Sequence, residues 1–105
     1  MPDRMSQLQA MLAREPNDPF LLYALALEHK KANDFPPALQ LLEKVIQIDP
    51  GYCYAYFQTG QIKAASGDVA GARDILQRGV NAAVRKADSK AQGELLAALD
   101  ELPAS

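Results

Sequence analysis

The groups in this chain whose types could do chemistry are one imidazole, one thiol, a set of aspartates beside turns and a run of basic residues. His29 is the single histidine, so it has no second imidazole with which to share a metal. Cys53 is the single cysteine, so no disulfide can close within one molecule; this usage suits a reducing compartment. The thiol lies near a predicted helix start, which can lower its pKa, but no signature supplies a partnered base, and a small hydrophobic role is expected. Asp18, Asp34, Asp49, Asp68 and Asp88 stand beside turns and helix starts, where a carboxylate caps free backbone N–H groups rather than working as half of an acid–base pair. The stretch Gly67-Asp68-Val69-Ala70-Gly71 lacks the glycine spacing and the following Lys-Ser or Lys-Thr of a phosphate loop. No catalytic residue, metal site or cofactor is therefore expected, and the chain is read as a non-enzyme.

Charge narrows the partners further. Eleven Lys and Arg against thirteen Asp and Glu give a net charge of -2, which argues against a duplex-binding protein driven by phosphate neutralisation. Arg73, Arg78, Arg85, Lys86 and Lys90 against Asp74 and Asp88 leave a local basic excess. Without a nucleic-acid motif, that excess reads as a solvated helix face. The longest apolar run, Phe20 to Leu27, is eight residues, too short for a membrane span, and the first residues lack a secretory pattern. No nucleic acid and no membrane are expected as partners, and the expected location is cytoplasmic. At 105 residues the chain has room for one domain whose core needs no disulfide or metal.

The elements that must position these groups are helices. Proline and glycine punctuate the sequence, and the stretches between carry apolar residues at spacings of three and four. Asp18-Pro19 starts a helix that should run to about Lys31, because aspartate caps it and proline has no N–H to lose at the first position. Asn33-Asp34 supplies a turn in which Asn tolerates positive φ, and a second helix should follow to about Ile48, stopped by Asp49-Pro50-Gly51. The cycle repeats as a helix from about Tyr52 to Ala65, a turn at Ser66-Gly67-Asp68, and a helix from about Val69 to Lys86. An amphipathic helix with Met5, Leu8, Met11 and Leu12 precedes the two hairpins. Another follows from about Ser89, using Ala91, Leu95, Leu96, Leu99 and Leu102.

The hairpins match at a shift of 34 residues. Phe20 then meets Tyr54, Leu22 meets Tyr56, Tyr23 meets Phe57 and Ala26 meets Gly60; further on, Asn33 meets Gly67, Asp34 meets Asp68, Ala38 meets Ala72 and Leu42 meets Leu76. Backwards, Leu42 returns to Leu8 and Pro50 to Pro16, so the first helix corresponds to the second half of a truncated copy. The small residues Ala26, Gly60, Ala38 and Ala72 are expected to let the helix backbones approach closely.

This period, with Leu22, Leu25-Ala26, His29, Ala38, Leu42 and Pro50 in one copy and Tyr56, Thr59-Gly60, Lys63, Ala72 and Leu76 in the next, resembles the tetratricopeptide repeat. The resemblance implies an all-α, right-handed superhelix of helical hairpins: a half-repeat helix over 1–16, repeats over 19–52 and 53–86, and a capping helix over 87–105. Val84 stands where Pro16 and Pro50 stand in their copies, so the last repeat helix is free to run on. It also places His29 in helix packing.

Opposite the packing side of each first helix lies a second stripe: Phe20, Tyr23 and Leu27 in one copy, Tyr54, Phe57 and Gln61 in the next. The resemblance implies that this stripe lines a concave, aromatic groove for a peptide or helix of a partner protein. The alternative is that the aromatics pack against neighbouring repeats, since a solenoid helix is covered on more than one side. A homo-oligomer built on the same apolar surfaces is the second functional expectation. The resemblance does not extend to the clamp of Lys, Arg and Asn with which one branch of that family grips acidic tails, because Tyr23 and Leu27 occupy two of its places.

Overall fold

The computed structural model describes residues 3–104, and among them it contains six helices and no strand. These are α1 (Arg4–Arg14), α2 (Pro19–Lys31), α3 (Phe35–Ile48), α4 (Cys53–Ala65), α5 (Val69–Lys86) and α6 (Ser89–Asp100). The helices group into two compact units that part between Asp49 and Pro50. In the N-terminal unit α2 packs on α3 and α1 packs on α2. In the C-terminal unit α4 packs on α5, and α6 lies against both.

Side-chain caps start four helices. Asp3 accepts from the Ser6 N–H at 2.7 Å, Asp18 from Phe20 and Leu21 at 2.9 and 3.3 Å, Asp68 from Gly71 at 2.9 Å, and Asp88 from Ala91 at 3.0 Å. One expected side-chain cap does not form. Asp34 stands at the N-cap of α3 without a side-chain cap bond, because Pro36 and Pro37 occupy the positions whose N–H groups it would bind. Its Oδ2 lies 3.2 Å from Nδ1 of His29 instead. Asp49 closes α3 at the expected stop, and its N–H donates to the Val45 carbonyl at 2.8 Å.

One turn geometry ends three helices. Asn33, Gly67 and Ala87 have φ of 59°, 88° and 56°, and the N–H of the next residue reaches back to His29, Lys63 and Ala83 respectively at 2.8–2.9 Å. This is the left-handed helix exit that satisfies orphaned carbonyls. The first two turns fall where the repeat places Asn33 opposite Gly67. The third, at Ala87, comes four residues later in its copy than the end of α3 would give, because α5 runs past Val84 to Lys86.

The cores repeat with the sequence. Leu8, Leu42 and Leu76 occupy the same repeat position and are 4%, 0% and 1% exposed. In the N-terminal unit Leu8 joins Leu21, Ala24 and Leu25, flanked by Met5, Leu12 and Leu41. Ala26, Ala38 and Ala72 are fully buried. Gly60 approaches Leu76 so closely that a Cβ there would lie 2.5 Å from the leucine side chain, which accounts for glycine where the first copy carries alanine. Tyr56 is buried at the α4–α5 contact, its hydroxyl donating to the Pro50 carbonyl at 2.7 Å and its ring carrying the Arg78 guanidinium at 5.9 Å. In α6, Ala91 and Leu95 are buried and Leu99 half-buried; Leu96, expected on the same face, is 44% exposed, because about 100° of helix rotation carries it off the side that packs on α4 and α5.

Candidate functional site

From Pro19 to Leu27 α2 is apolar around its whole circumference, and only one side is well buried. Leu21, Leu22, Ala24, Leu25 and Ala26 are buried within the N-terminal unit. On the other side Phe20 is 64% exposed, and Tyr23 and Leu27 are half-buried on the same face. A helix whose apolar surface exceeds what its own core can cover presents a contact surface. The Asp18 cap fixes the first turn and so sets the direction of Phe20, whose own N–H it binds.

In the C-terminal unit, Tyr54 and Phe57 sit together on α4, half-buried, with ring centroids 6.3 Å apart at 72°, the edge-to-face arrangement aromatic pairs favour. The Tyr54 hydroxyl is hydrogen-bonded to the Glu94 carboxylate on α6, and this bond, reinforced by burial and by the charges of Glu94 and Asp88, holds its pKa above the ordinary tyrosine value. Gln61, two turns further along α4, is exposed and lines a cleft of about 300 Å³ with Gly60, Ala64, Leu76, Ala98 and Glu101. Leu102 and Pro103 close one side of this cleft, and the Pro103 carbonyl accepts from Nη2 of Arg73 at 3.0 Å.

The structure thus brings Tyr54 and Phe57 into contact, puts Gln61 in a cleft on the same helix, and sets Phe20, Tyr23 and Leu27 along one face of α2. The contributions of α6 and its end, Glu94 against Tyr54 and Ala98 and Glu101 in the cleft, were missed in the sequence. The available signal was Glu94 and Glu101 seven apart, which share a helix face.

The chemistry-bearing side chains take structural places. Cys53 is buried, its thiol 3.4 Å from the Gly51 carbonyl. His29 is largely covered against Asp34, and its repeat equivalent Lys63 meets Asp68 at 3.7 Å. Lys31 lies 3.4 Å from Glu28, which Arg4 also approaches at 3.7 Å, while partial burial lowers the pKa of Lys30. Among the described residues no group of three or more His, Cys, Asp or Glu could hold a metal ion, and no helix is long and apolar enough to cross a membrane.

Residues 29–99 match the family model described as tetratricopeptide repeat. A TPR repeat-containing protein of Pseudomonas aeruginosa is 30% identical over 95 residues, covering 90% of each chain. Among solved structures, a tetratricopeptide repeat domain protein from Salinibacter ruber is similar with a TM-score of 0.77 and 32% identity, over 82% of this chain and 87% of that one. A protein from Bordetella parapertussis is similar with a TM-score of 0.83 and 30% identity, over 95% of this chain and 87% of that one.

Proposed function

Because the chain belongs to the tetratricopeptide repeat family, whose members generally mediate protein–protein interactions, we propose that it is a non-catalytic module that holds a peptide or helix of a partner protein on its first-helix stripes. Phe20, Tyr23 and Leu27 of α2 and Tyr54 and Phe57 of α4 supply apolar contact, and Gln61 supplies polar pairing. The observation that carries this reading is the 64% exposure of Phe20 beside two half-buried apolar side chains on one face. Large aromatics are enriched where proteins bind and are out of place on an idle surface. If the stripe anchors a partner, Tyr23→Ala or Phe57→Ala weakens capture of that partner by about 2 kcal/mol or more. Residues that only support the fold would instead lose stability in the absence of any partner.

Self-association through the same apolar surfaces is the second reading, and the exposed Met11 on α1, Val84 on α5 and Leu96 on α6 would add to it. Sedimentation over a range of concentrations separates the two. A stable dimer would favour assembly, and a monomer at high concentration would favour an external ligand.

A further inference from the structure

The cleft in the C-terminal unit has a polarity of its own. Its floor is apolar, with Gly60, Leu76 and Ala98, and Glu101 is the one charged side chain among the described residues that line it. Among the described residues the Glu101 carboxylate enters no ion pair. Glu101 also caps the C-terminus of α6, whose last turn holds no basic residue, so the negative end of the helix dipole adds to the carboxylate. Of the cations close in sequence, Lys63 pairs with Asp68 and Arg73 donates to the neutral Pro103 carbonyl, and neither lines the cleft.

The seam between α4 and α6 extends this polarity. Tyr54 meets Glu94, and Gln61 and Glu101, each seven residues further on in its own helix, line the cleft. The two carboxylates therefore lie on one face of α6, two turns or about 10 Å apart along the axis. A carboxylate has about four acceptor positions, so the hydroxyl of Tyr54 leaves Glu94 able to accept further donors. Three residues of polyproline II chain rise about 9 Å, and its three-residue turn brings side chains three apart onto one face.

We infer that the α4–α6 cleft takes a cationic peptide segment, with lysine or arginine at positions three apart meeting Glu94 and Glu101 and a small apolar side chain between them resting on Gly60, Leu76 and Ala98. This rests on the peptide-binding reading above and adds the charge of the ligand, which the apolar stripe leaves open. Opposite charge fixes register and rejects wrong partners more than it adds raw affinity.

The test is an NMR titration of the isotope-labelled full chain with three capped tetrapeptides, each with leucine and alanine at its centre and with arginine, glutamine or glutamate at both ends. The arginine peptide is expected to move the amide signals of Gly60 and Ala98 and to bind about tenfold more tightly than the glutamate peptide. Glu101→Gln, an exposed change that removes no cap bond, should lower its affinity about fivefold while the helical spectrum is retained. Equal affinity for all three peptides with the same signals moving would overturn the charge assignment and leave peptide binding standing. No movement of these signals with any of the three would overturn the cleft as a site. The stripe on α2 remains separately testable through Phe20.

Discussion

Asp34 Oδ2 lies 3.2 Å from Nδ1 of His29, as Asp68 lies near Lys63 in the second copy, but unlike Asp68 it makes no cap bond. Pro36 and Pro37 hold the second and third helical positions, so the N–H groups that a capping carboxylate would bind are missing. Asp18 and Asp88 face helices with those N–H groups present and bind them. Asp18→Ala and Asp88→Ala should each cost about 1 kcal/mol in urea unfolding. Asp34→Ala removes only a contact to a half-exposed carboxylate and should cost well under about 1 kcal/mol. Equal losses at all three positions would contradict the cap assignment.

The three left-handed turns differ in the residue that bears the strain. Gly67 carries positive φ freely, Asn33 tolerates it, and Ala87 pays a steric penalty for its Cβ. Ala87→Gly should raise stability by up to about 1 kcal/mol, and Gly67→Ala should lower it by about 1 kcal/mol, as read by thermal or urea unfolding. Asn33→Gly should change little.

Close approach of the helices sets a limit on side-chain size. Ala38 and Ala72 are fully buried, and a Cβ on Gly60 would meet the buried Leu76 side chain at 2.5 Å. Ala38→Leu and Ala72→Leu should each destabilise by about 1 to 3 kcal/mol, and Gly60→Ala should also destabilise. Unchanged melting temperatures in these variants would show that the packing has slack that the structure does not display.

Asp3 caps α1 through the Ser6 N–H, and that bond holds its carboxyl below the ordinary aspartate value. A depressed carboxyl stabilises the fold when ionised, so this contribution is complete above the unfolded value and is lost as pH falls through the lower folded value. Protection of the α1 amides, taken relative to their intrinsic exchange rate at each pH, should therefore fall at acid pH in the wild type. In Asp3→Asn, which caps without titrating, the part of that fall owed to the cap should vanish.

The repeat period made much of this legible in advance. Leu8, Leu42 and Leu76 align at one shift and are all buried, and the turn residues Asn33 and Gly67 align and share positive φ. Asp18-Pro19 located the start of α2 because a capping side chain and an imino residue act locally. What failed to show depended on neighbours. Asp34 resembles its repeat partner Asp68, and only the missing N–H groups of Pro36 and Pro37 separate their behaviour. Ala87 carries no sign of a left-handed turn, since alanine adopts one only when the surrounding structure imposes it. The Tyr54–Glu94 contact joins α4 to α6 across a hairpin, and neither residue's own helix announces it. On α2 the apolar stripe was visible as a pattern, but its exposure at Phe20 and half-burial at Tyr23 and Leu27 are properties of the folded unit.

The most direct test of the interaction surface is Phe20→Ala, followed by two readouts on the same sample: thermal melting of the chain alone and capture of the protein that the wild-type chain recovers. At 64% exposure Phe20 has little to give the core, so melting should hold while recovery of that protein falls at least about tenfold. A lower melting temperature with undiminished recovery would mean that the aromatic face of α2 serves the fold and binds nothing.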